Sequence, residues 1–206
     1  MPRLFTYKLT HDTGFAPCPF HGPLTLATCK PGIRKTKIVG DWVAGFTSSI
    51  LNGDVVGMER LIYLMEVSEK LLIEDYWKDV RFFNKRPIKD HQNIVKRIGD
   101  NIYYLEDGMF KQKENNFHRM HHMKKDLGGQ FVLISDNYYY FGGKRPLEIP
   151  PDLRPDVPAG PTNYGFKSEG EKASRFIKFI TSNNRRGKLG PPYKWKVHRS
   201  CSSLKR

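Results

Sequence analysis

The chain has 206 residues, 38% of them hydrophobic, and carries a formal charge of +14. This predicts one domain, or one domain and a tail, with a core of ordinary size. Apolar runs of about 18 residues and a secretory signal are both missing from the sequence, so we expect no membrane span and no export. Three cysteines give no disulfide framework, which favours the reducing cytoplasm.

The positive charge is concentrated at the C-terminal end. Residues 167–206 contain twelve Lys or Arg and two Glu, and so hold +10 of the +14. Such a concentration predicts contact with a polyanion, most simply nucleic acid, although a solubilising tail is the alternative. We therefore divide the chain into a domain over 1–160 and a C-terminal helix with a basic tail over 161–206. The tail residues expected to contact nucleic acid are Arg185, Arg186, Lys188, Tyr193, Lys194 and Trp195.

Short segments rich in aromatic and β-favouring residues predict six or seven strands. In chain order the predicted strands are Leu4–Leu9, Leu24–Cys29, Trp42–Phe46, Arg60–Val67, Ile102–Glu106, Gln130–Ser135 and Tyr138–Phe141. We expect the last two to form a hairpin around Asp136 and Asn137. The sequence therefore predicts an α+β, mainly β fold. We expect a strongly bent mixed sheet or a small PUA-like barrel, with short peripheral helices and a basic C-terminal extension.

Two helices are predicted. Ser68 would cap one over Glu69–Asp79, and Ser168 and Glu171 form a capping box for a second helix up to residue 183. The second helix should pack through four apolar residues at helical spacing, namely Ala173, Phe176, Ile177 and Ile180. Residues 107–129 are expected to be irregular.

His118 and His122 have a spacing that places two metal ligands on one helix face. They have no Glu between them at the position that zinc proteases use, and no obvious third ligand. We therefore expect neither a metal site nor a cofactor.

The stretch from Thr10 to Phe46 is unusual because groups capable of chemistry alternate there with Gly and Pro. Glycine and proline fix unusual backbone angles and let the main chain approach a ligand, so the stretch is a candidate ligand site. A pair of ordinary turns is the alternative. If the protein is an enzyme, the candidate catalytic residues are His11, Asp12, Cys29 and Asp41.

Aromatic rings alternate with Lys and Arg between Tyr76 and Lys85, a composition suited to stacking a base and neutralising a phosphate. Core packing is the alternative for Trp42, Trp77 and Phe82. The candidate ligand-binding residues are Phe15, Lys30, Arg34, Trp42, Trp77, Arg81, Phe82, Lys85, Asn101 and Tyr103.

Several ordered motifs resemble one family. They are Thr10-His11-Asp12-x-Gly14-Phe15-Ala16-Pro17, Thr28-Cys29-Lys30-Pro31-x-Ile33-Arg34, Gly40-Asp41-Trp42, Tyr76-Trp77-x-Asp79-x-Arg81-Phe82, Gly99-Asp100-Asn101-Ile102-Tyr103 and Tyr140-Phe141-Gly142. Over about residues 3 to 155 they are similar to the second nucleotide-modification-associated domain family. A looser, mostly architectural likeness is to pseudouridine-synthase-like barrels, including the EVE, ASCH and YTH domains. The first resemblance implies a role with systems that modify or police DNA bases in bacteria and their viruses.

Three functions remain open. The first is binding of a nucleotide or a modified base within DNA modification or anti-phage systems, with DNA favoured over RNA as the nucleic acid but the choice left open. The second is an enzyme that modifies or hydrolyses a nucleotide or base. His11 would then be the general acid/base, oriented by Asp12 or Asp41, with Cys29 or Lys30 as nucleophile. The third is a structural subunit with a protein partner. No membrane partner is expected.

Overall fold

A computed structural model describes residues 2–160 and 162–193. The strands are β1 (Leu4–Lys8), β2 (Leu24–Leu26), β3 (Trp42–Phe46), β4 (Leu61–Glu66), β5 (Glu69–Leu72), β6 (Tyr103–Glu106), β7 (Met109–Gln112), β8 (Phe131–Ser135), β9 (Asn137–Tyr140), β10 (Phe166–Ser168) and β11 (Gly187–Lys188). The helices are α1 (Pro31–Thr36), α2 (Ser49–Asn52), α3 (Ile73–Lys78), α4 (Ile94–Arg97), α5 (Met120–Leu127) and α6 (Gly170–Asn183). Short 3-10 helices cover Val80–Lys85 and Pro151–Leu153.

The strands form one large mixed sheet and two small ones. The large sheet has six strands in the order β10-β1-β3-β4-β9-β11, with parallel pairs β1/β3 and β9/β11. The second sheet is antiparallel, in the order β2-β8-β5, and β6 pairs with β7. The α+β, mainly β class with a mixed sheet is therefore confirmed.

Two neighbouring strands pass from the large sheet into the second sheet at one corner. β4 continues into β5 and β8 continues into β9, and both β4/β9 and β5/β8 are antiparallel pairs. At the corner, Ser68 N donates to Ile134 O (2.9 Å) and Asp136 N donates to Ser68 Oγ (3.1 Å). The described strands do not close into a barrel. The looser likeness to pseudouridine-synthase-like barrels therefore receives no support.

Successive side chains of the large sheet point to its two opposite faces, and both faces are buried. Ala44 and Leu64 face α6, whereas Val43 and Met65 face the second sheet. A third apolar cluster lies on the far side of the second sheet, where Val132 packs with residues of α3 and β6. The second sheet therefore lies between two apolar clusters. The loop that follows β2 begins between these clusters, because Leu26 belongs to one and Ala27 to the other.

Three local predictions are wrong. Glu69–Leu72 form β5 and not the start of a helix, because they pair with Phe131–Ile134 of β8; the helix begins only at Ile73. Residues 107–129 are not irregular, since they contain β7 and α5. β8 and β9 do not form a hairpin, because the chain changes sheets between them.

The C-terminal helix α6 docks as predicted, through the four apolar residues at helical spacing, all of which are buried. The predicted capping box is absent: the N-cap is Glu169 without a side-chain cap, and Ser168 pairs with Leu4 in the sheet. None of the helices in the described part of the chain combines the length and apolar composition that a membrane span needs.

The basic end is partly built into the fold. Gly187 and Lys188 form β11 at the edge of the large sheet, whereas Arg185 and Arg186 are exposed. Tyr193 is 44% exposed, while its backbone N–H reaches Asp12 Oδ2 (3.3 Å). Lys194 and Trp195 lie outside the described residues. Contact of this end with nucleic acid stays a prediction.

Replacing Phe176 with Ala should lower the free energy of unfolding by about 3–5 kcal/mol, because the ring is fully buried between α6 and the sheet. Urea unfolding measures this loss. Phe166→Ala is the control, since that ring is 49% exposed and its removal should cost below about 1 kcal/mol. Equal losses in the two variants would contradict the docking of α6.

Candidate active site

Cys29 occupies a strained turn between β2 and α1. Its φ is 57°, and the next residue, Lys30, also has a positive φ of 37°. A buried carboxylate beneath the turn fixes the end of β2: Asp100 Oδ2 accepts hydrogen bonds from Thr25 Oγ1 (2.8 Å) and Ala27 N (3.3 Å). Left-handed backbone at residues other than glycine is uncommon and is often found at functional sites. The turn therefore marks Cys29 as a candidate for chemistry.

Cys29 is the first member of a three-residue chain of contacts. Its Sγ lies 3.4 Å from His118 Nε2, and His118 Nδ1 lies 2.6 Å from Asp126 Oδ2. Cys29 and His118 are partly exposed, whereas the Asp126 side chain is only 2% exposed. A reactive side chain, a histidine and a buried orienting carboxylate in this order are the arrangement of a nucleophilic catalytic triad.

Asp126 is held by more than the histidine. Its Oδ1 accepts a hydrogen bond from the backbone N–H of Cys29 (2.8 Å), and its Oδ2 accepts one from the Tyr103 hydroxyl (2.8 Å). Burial alone would raise the pKa of Asp126, but the hydrogen bonds from His118, Tyr103 and Cys29 outweigh it and lower the pKa below its usual 3.8. The carboxylate is therefore ionised at neutral pH and fixed in position.

His118 is poised as a proton donor. Burial lowers its pKa, but hydrogen bonds and electrostatic interactions with Asp126 and Cys29 raise the pKa to about 9. The ring is an imidazolium at neutral pH, with Nδ1–H donated to Asp126 and Nε2–H directed at Cys29 Sγ. Phe15 contacts the ring edge-on, with centroids 4.9 Å apart. Cys29 is therefore paired with a histidine proton donor, as nucleophilic cysteines are.

Arg34 joins the chain segments that carry the triad. Its guanidinium is fully buried and donates to three backbone carbonyl oxygens: from Nε to Cys29 (2.8 Å), from Nη1 to Phe131 (2.8 Å) and from Nη2 to Asp126 (2.5 Å). Gly129 makes room for it, because a Cβ there would lie 2.5 Å from Arg34 Cζ. Arg34 is thus a bracing residue and does not face the cleft.

The triad opens into a cleft of about 520 Å3. The residues that line it are mostly polar or basic in type. Lys30 Nζ donates to Thr162 O (2.9 Å) and lies 4.7 Å from the centre of the Tyr7 ring. Besides the triad, the cleft is lined by Thr10, Lys30, His122, Lys125, Thr162 and Asn163. This composition suits a polar or anionic ligand.

Comparison with protein families decides the assignment. The family model described as nucleotide modification associated domain 2 matches residues 1–199. The chain belongs to this family. No match was found among curated proteins or among solved structures. The family description implies a role in nucleotide modification.

In this member of the family, three predicted acidic or amide site residues support the backbone. Asp12 accepts hydrogen bonds from the Tyr140 hydroxyl and Gly143 N, both at 2.6 Å. Asp41 accepts them from Arg3 Nε (2.6 Å) and Ile38 N (2.9 Å). Asn101 Nδ2 donates to the carbonyl oxygens of Tyr76 (3.1 Å) and Phe82 (3.2 Å). The exposed His11 does not line the cleft of Cys29.

Five of the predicted stacking and phosphate-binding residues do not line the cleft. Trp42 packs in the core beside α6, and Phe82 is fully buried. Lys85 is also fully buried, and its Nζ donates to the carbonyl oxygens of Cys18 (3.1 Å) and Phe20 (2.6 Å). Trp77 already stacks on Tyr104, with ring centroids 4.6 Å apart. Arg81 pairs with acidic residues Glu69 and Asp79.

The structure thus brings together Phe15, Cys29, Lys30, Arg34 and Tyr103 from the predicted set. Sequence reasoning missed Asp126, and it weighed His118 only as a metal ligand beside His122. Those two histidine rings stack, with centroids 4.6 Å apart. Because Cys29 and His118 are 89 residues apart, the only available signal was a cysteine in a Gly- and Pro-rich turn together with histidines elsewhere.

The triad atoms also lie close enough to hold a metal ion, since one ligand atom from each residue falls within 4.8 Å of the others. Both oxygens of Asp126 already accept hydrogen bonds, and His118 Nδ1 is bound to one of them. Among the possible ligand atoms of the three residues, this leaves His118 Nε2 and Cys29 Sγ without a hydrogen bond to the Asp126 carboxylate. The hydrogen bonding therefore fits a triad better than a coordination shell.

Replacing Arg34 with Met should lower the free energy of unfolding by about 3 kcal/mol, because three buried carbonyl oxygens lose their donor. Chemical denaturation measures the loss. Lys35→Met, at the exposed neighbouring position of α1, should change stability by less than about 0.5 kcal/mol. A similar value for both variants would show that Arg34 does not brace the site.

The His118–Asp126 pair should give a stability difference that depends on pH. His118 has a raised folded-state pKa, so its contribution is complete below about 6.5 and is lost as pH rises through about 9. Asp126 has a lowered pKa, so its contribution is lost as pH falls below about 3.8. The stability difference between the native protein and His118→Gln should therefore be largest near pH 4–6.5 and shrink toward pH 9.

Denaturation curves at pH 5, 7 and 9.5, taken for both proteins, measure that difference. His122→Gln is the control, because burial and the neighbouring His118 and His121 lower the pKa of His122. The stability difference between the native protein and His122→Gln should not change with pH above about pH 7. A His118→Gln difference that is also flat would mean that the histidine is not held as a cation.

Proposed function

We propose that this protein is an enzyme that modifies a nucleotide or a base through a covalent bond to Cys29. The observation that carries the proposal is the position of His118, between Cys29 Sγ and a buried, ionised Asp126. A structural role for these three side chains would not require a sulfur atom at the mouth of a cleft. Nor would it require a strained backbone at the residue that bears it.

In the first half of the reaction, the thiolate of Cys29 attacks an electrophilic carbon of the substrate. The new bond is Sγ–C; the bond from that carbon to its leaving group breaks, and the leaving group departs with the electron pair. His118 gives it the proton on Nε2 and becomes neutral. Asp126 keeps the ring oriented throughout, since it remains hydrogen-bonded to Nδ1.

In the second half, water takes the place of the leaving group. Neutral His118 accepts a proton from water, the water oxygen bonds to the same carbon, and the electrons of the Sγ–C bond return to sulfur. The thiolate and the imidazolium are restored, and the net reaction is hydrolysis. An amine or hydroxyl compound in place of water would make the same cycle a group transfer.

The family and the charge of the cleft support a nucleotide as substrate. Members are named for nucleotide modification, and Lys30 and Lys125 line the cleft beside Cys29. Binding of a nucleotide or modified base without turnover is the alternative, and an association with DNA modification or defence systems is compatible with both. We favour turnover because pure binding does not need the triad.

The test is to incubate the protein with deoxynucleotides, ribonucleotides, and plain and base-modified DNA and RNA. Mass spectrometry then follows the products and any adduct on the intact protein. We expect one substrate class to change mass, and Cys29→Ala to abolish the change. His118→Gln should slow it by about 10²–10⁴-fold.

His91→Gln is the matched control, because His91 is a histidine that does not line the cleft of Cys29. Its rate should remain within about threefold of the native rate. Turnover that survives in Cys29→Ala would overturn the proposal. A stoichiometric zinc ion bound by the native protein and lost in Cys29→Ala would favour a metal centre instead.

A further inference from the structure

The cleft of Cys29 continues into a second cleft. The second one, of about 560 Å3, lies between α1 and α5 and shares Lys125 and Asn163 with the first. Its other lining includes Lys35, His121, Lys124 and Tyr164. A ligand with its reactive part at Cys29 can therefore extend along α5 into this space.

The second cleft is strongly basic, and none of the described residues that line it is a carboxylate. Three lysines face it, namely Lys35, Lys124 and Lys125. Within residues 2–160 and 162–193, none of them forms an ion pair. Elsewhere on the surface, cations such as Arg60 and Lys172 do pair with a carboxylate. Three unpaired lysines thus lie together in the extension of the active-site cleft.

A second observation, at the boundary between the two clefts, also indicates positive charge that no acidic group neutralises. Burial lowers the pKa of Lys30, Cys29 partly offsets this, and the charge of Lys125 lowers it further. Two ammonium groups therefore repel one another across the junction, and Asp126, the acidic residue in the described lining of the first cleft, already accepts three hydrogen bonds. A bound anion would relieve that repulsion.

An open aromatic ring lies at the far end. Tyr164 is 60% exposed, and its ring packs over α1 at Gly32, where a Cβ would lie 2.7 Å from Tyr164 Cδ1. Asn163 fixes the start of this segment, because its carbonyl oxygen accepts a hydrogen bond from Ile33 N (3.0 Å). The ring is therefore held at the cleft and remains available for stacking.

We infer that the second cleft is a phosphate-binding subsite for the substrate of Cys29, formed by Lys35, Lys124 and Lys125. The inference rests on the proposed function and adds the substrate class: a phosphate ester whose reactive group and phosphate lie at opposite ends of the two clefts. The phosphate comes either from a free nucleotide or from a nucleic-acid strand. In a strand, Tyr164 stacks the neighbouring base.

The test measures binding and not turnover, so that it does not depend on the reaction. Cys29→Ser protein is titrated in a calorimeter with the four deoxynucleosides and, separately, with their 5′-monophosphates. We expect the monophosphates to bind at least about tenfold more tightly. In the additional variant Lys125→Gln this preference should fall by about tenfold, while nucleoside affinity stays unchanged.

Lys178→Gln is the matched control, because Lys178 is an exposed lysine on α6 that lines neither cleft. It should leave the preference for monophosphates unchanged. If Lys125→Gln and the combined Lys124→Gln/Lys125→Gln variant keep the native preference for monophosphates, the subsite does not exist. Turnover by the native protein would then still support the chemistry of Cys29, so the two proposals fail separately.

A second arm identifies the source of the phosphate. A single-stranded DNA of twelve nucleotides is titrated against the same protein and against Tyr164→Ala. Tighter binding of the strand than of the monophosphates, with a loss in Tyr164→Ala, assigns a nucleic-acid substrate. Equal binding, with no effect of Tyr164→Ala, assigns a free nucleotide. Either result supports the subsite, provided that Lys125→Gln weakens the binding.

Discussion

The buried guanidinium of Arg34 is the interaction on which the candidate site depends. It satisfies the carbonyl oxygens of Cys29, in the turn after β2, and of Asp126 and Phe131, at the end of α5 and the start of β8, about a hundred residues further along the chain. A lysine could not replace it, because only the planar fork of arginine presents donors in several fixed directions. Removing the guanidinium would leave the turn, the end of α5 and the start of β8 without their common partner.

Asp126 and Cys29, the two ends of the triad, are also joined directly. The backbone N–H of Cys29 donates a hydrogen bond to the carboxylate of Asp126. The carboxylate therefore orients the histidine through Nδ1 and the nucleophile through the main chain. Tyr103 supports it from β6. One buried acidic group thus fixes the geometry between the two reactive side chains.

Sequence predicted the parts of the fold that local patterns determine, such as the strand Trp42–Phe46 and the apolar face of α6. It failed at β5, where pairing with β8 prevails over the capping signal at Ser68. In the site, it singled out Cys29 from its turn chemistry, but the partner histidine depends on how α5 packs against α1. Likewise Lys85, charged and near aromatic residues, is buried by contacts with distant carbonyl oxygens.

The backbone at Cys29 and Lys30 has a consequence for the evolution of the protein. Two consecutive residues with a side chain adopt left-handed angles that cost about 1–2 kcal/mol each, and glycine would adopt them without strain. Mutation to glycine at either position would relieve the strain, at the expense of the thiol or the amine at the cleft. The two side chains are thus present at a cost in stability, which the surrounding fold must supply.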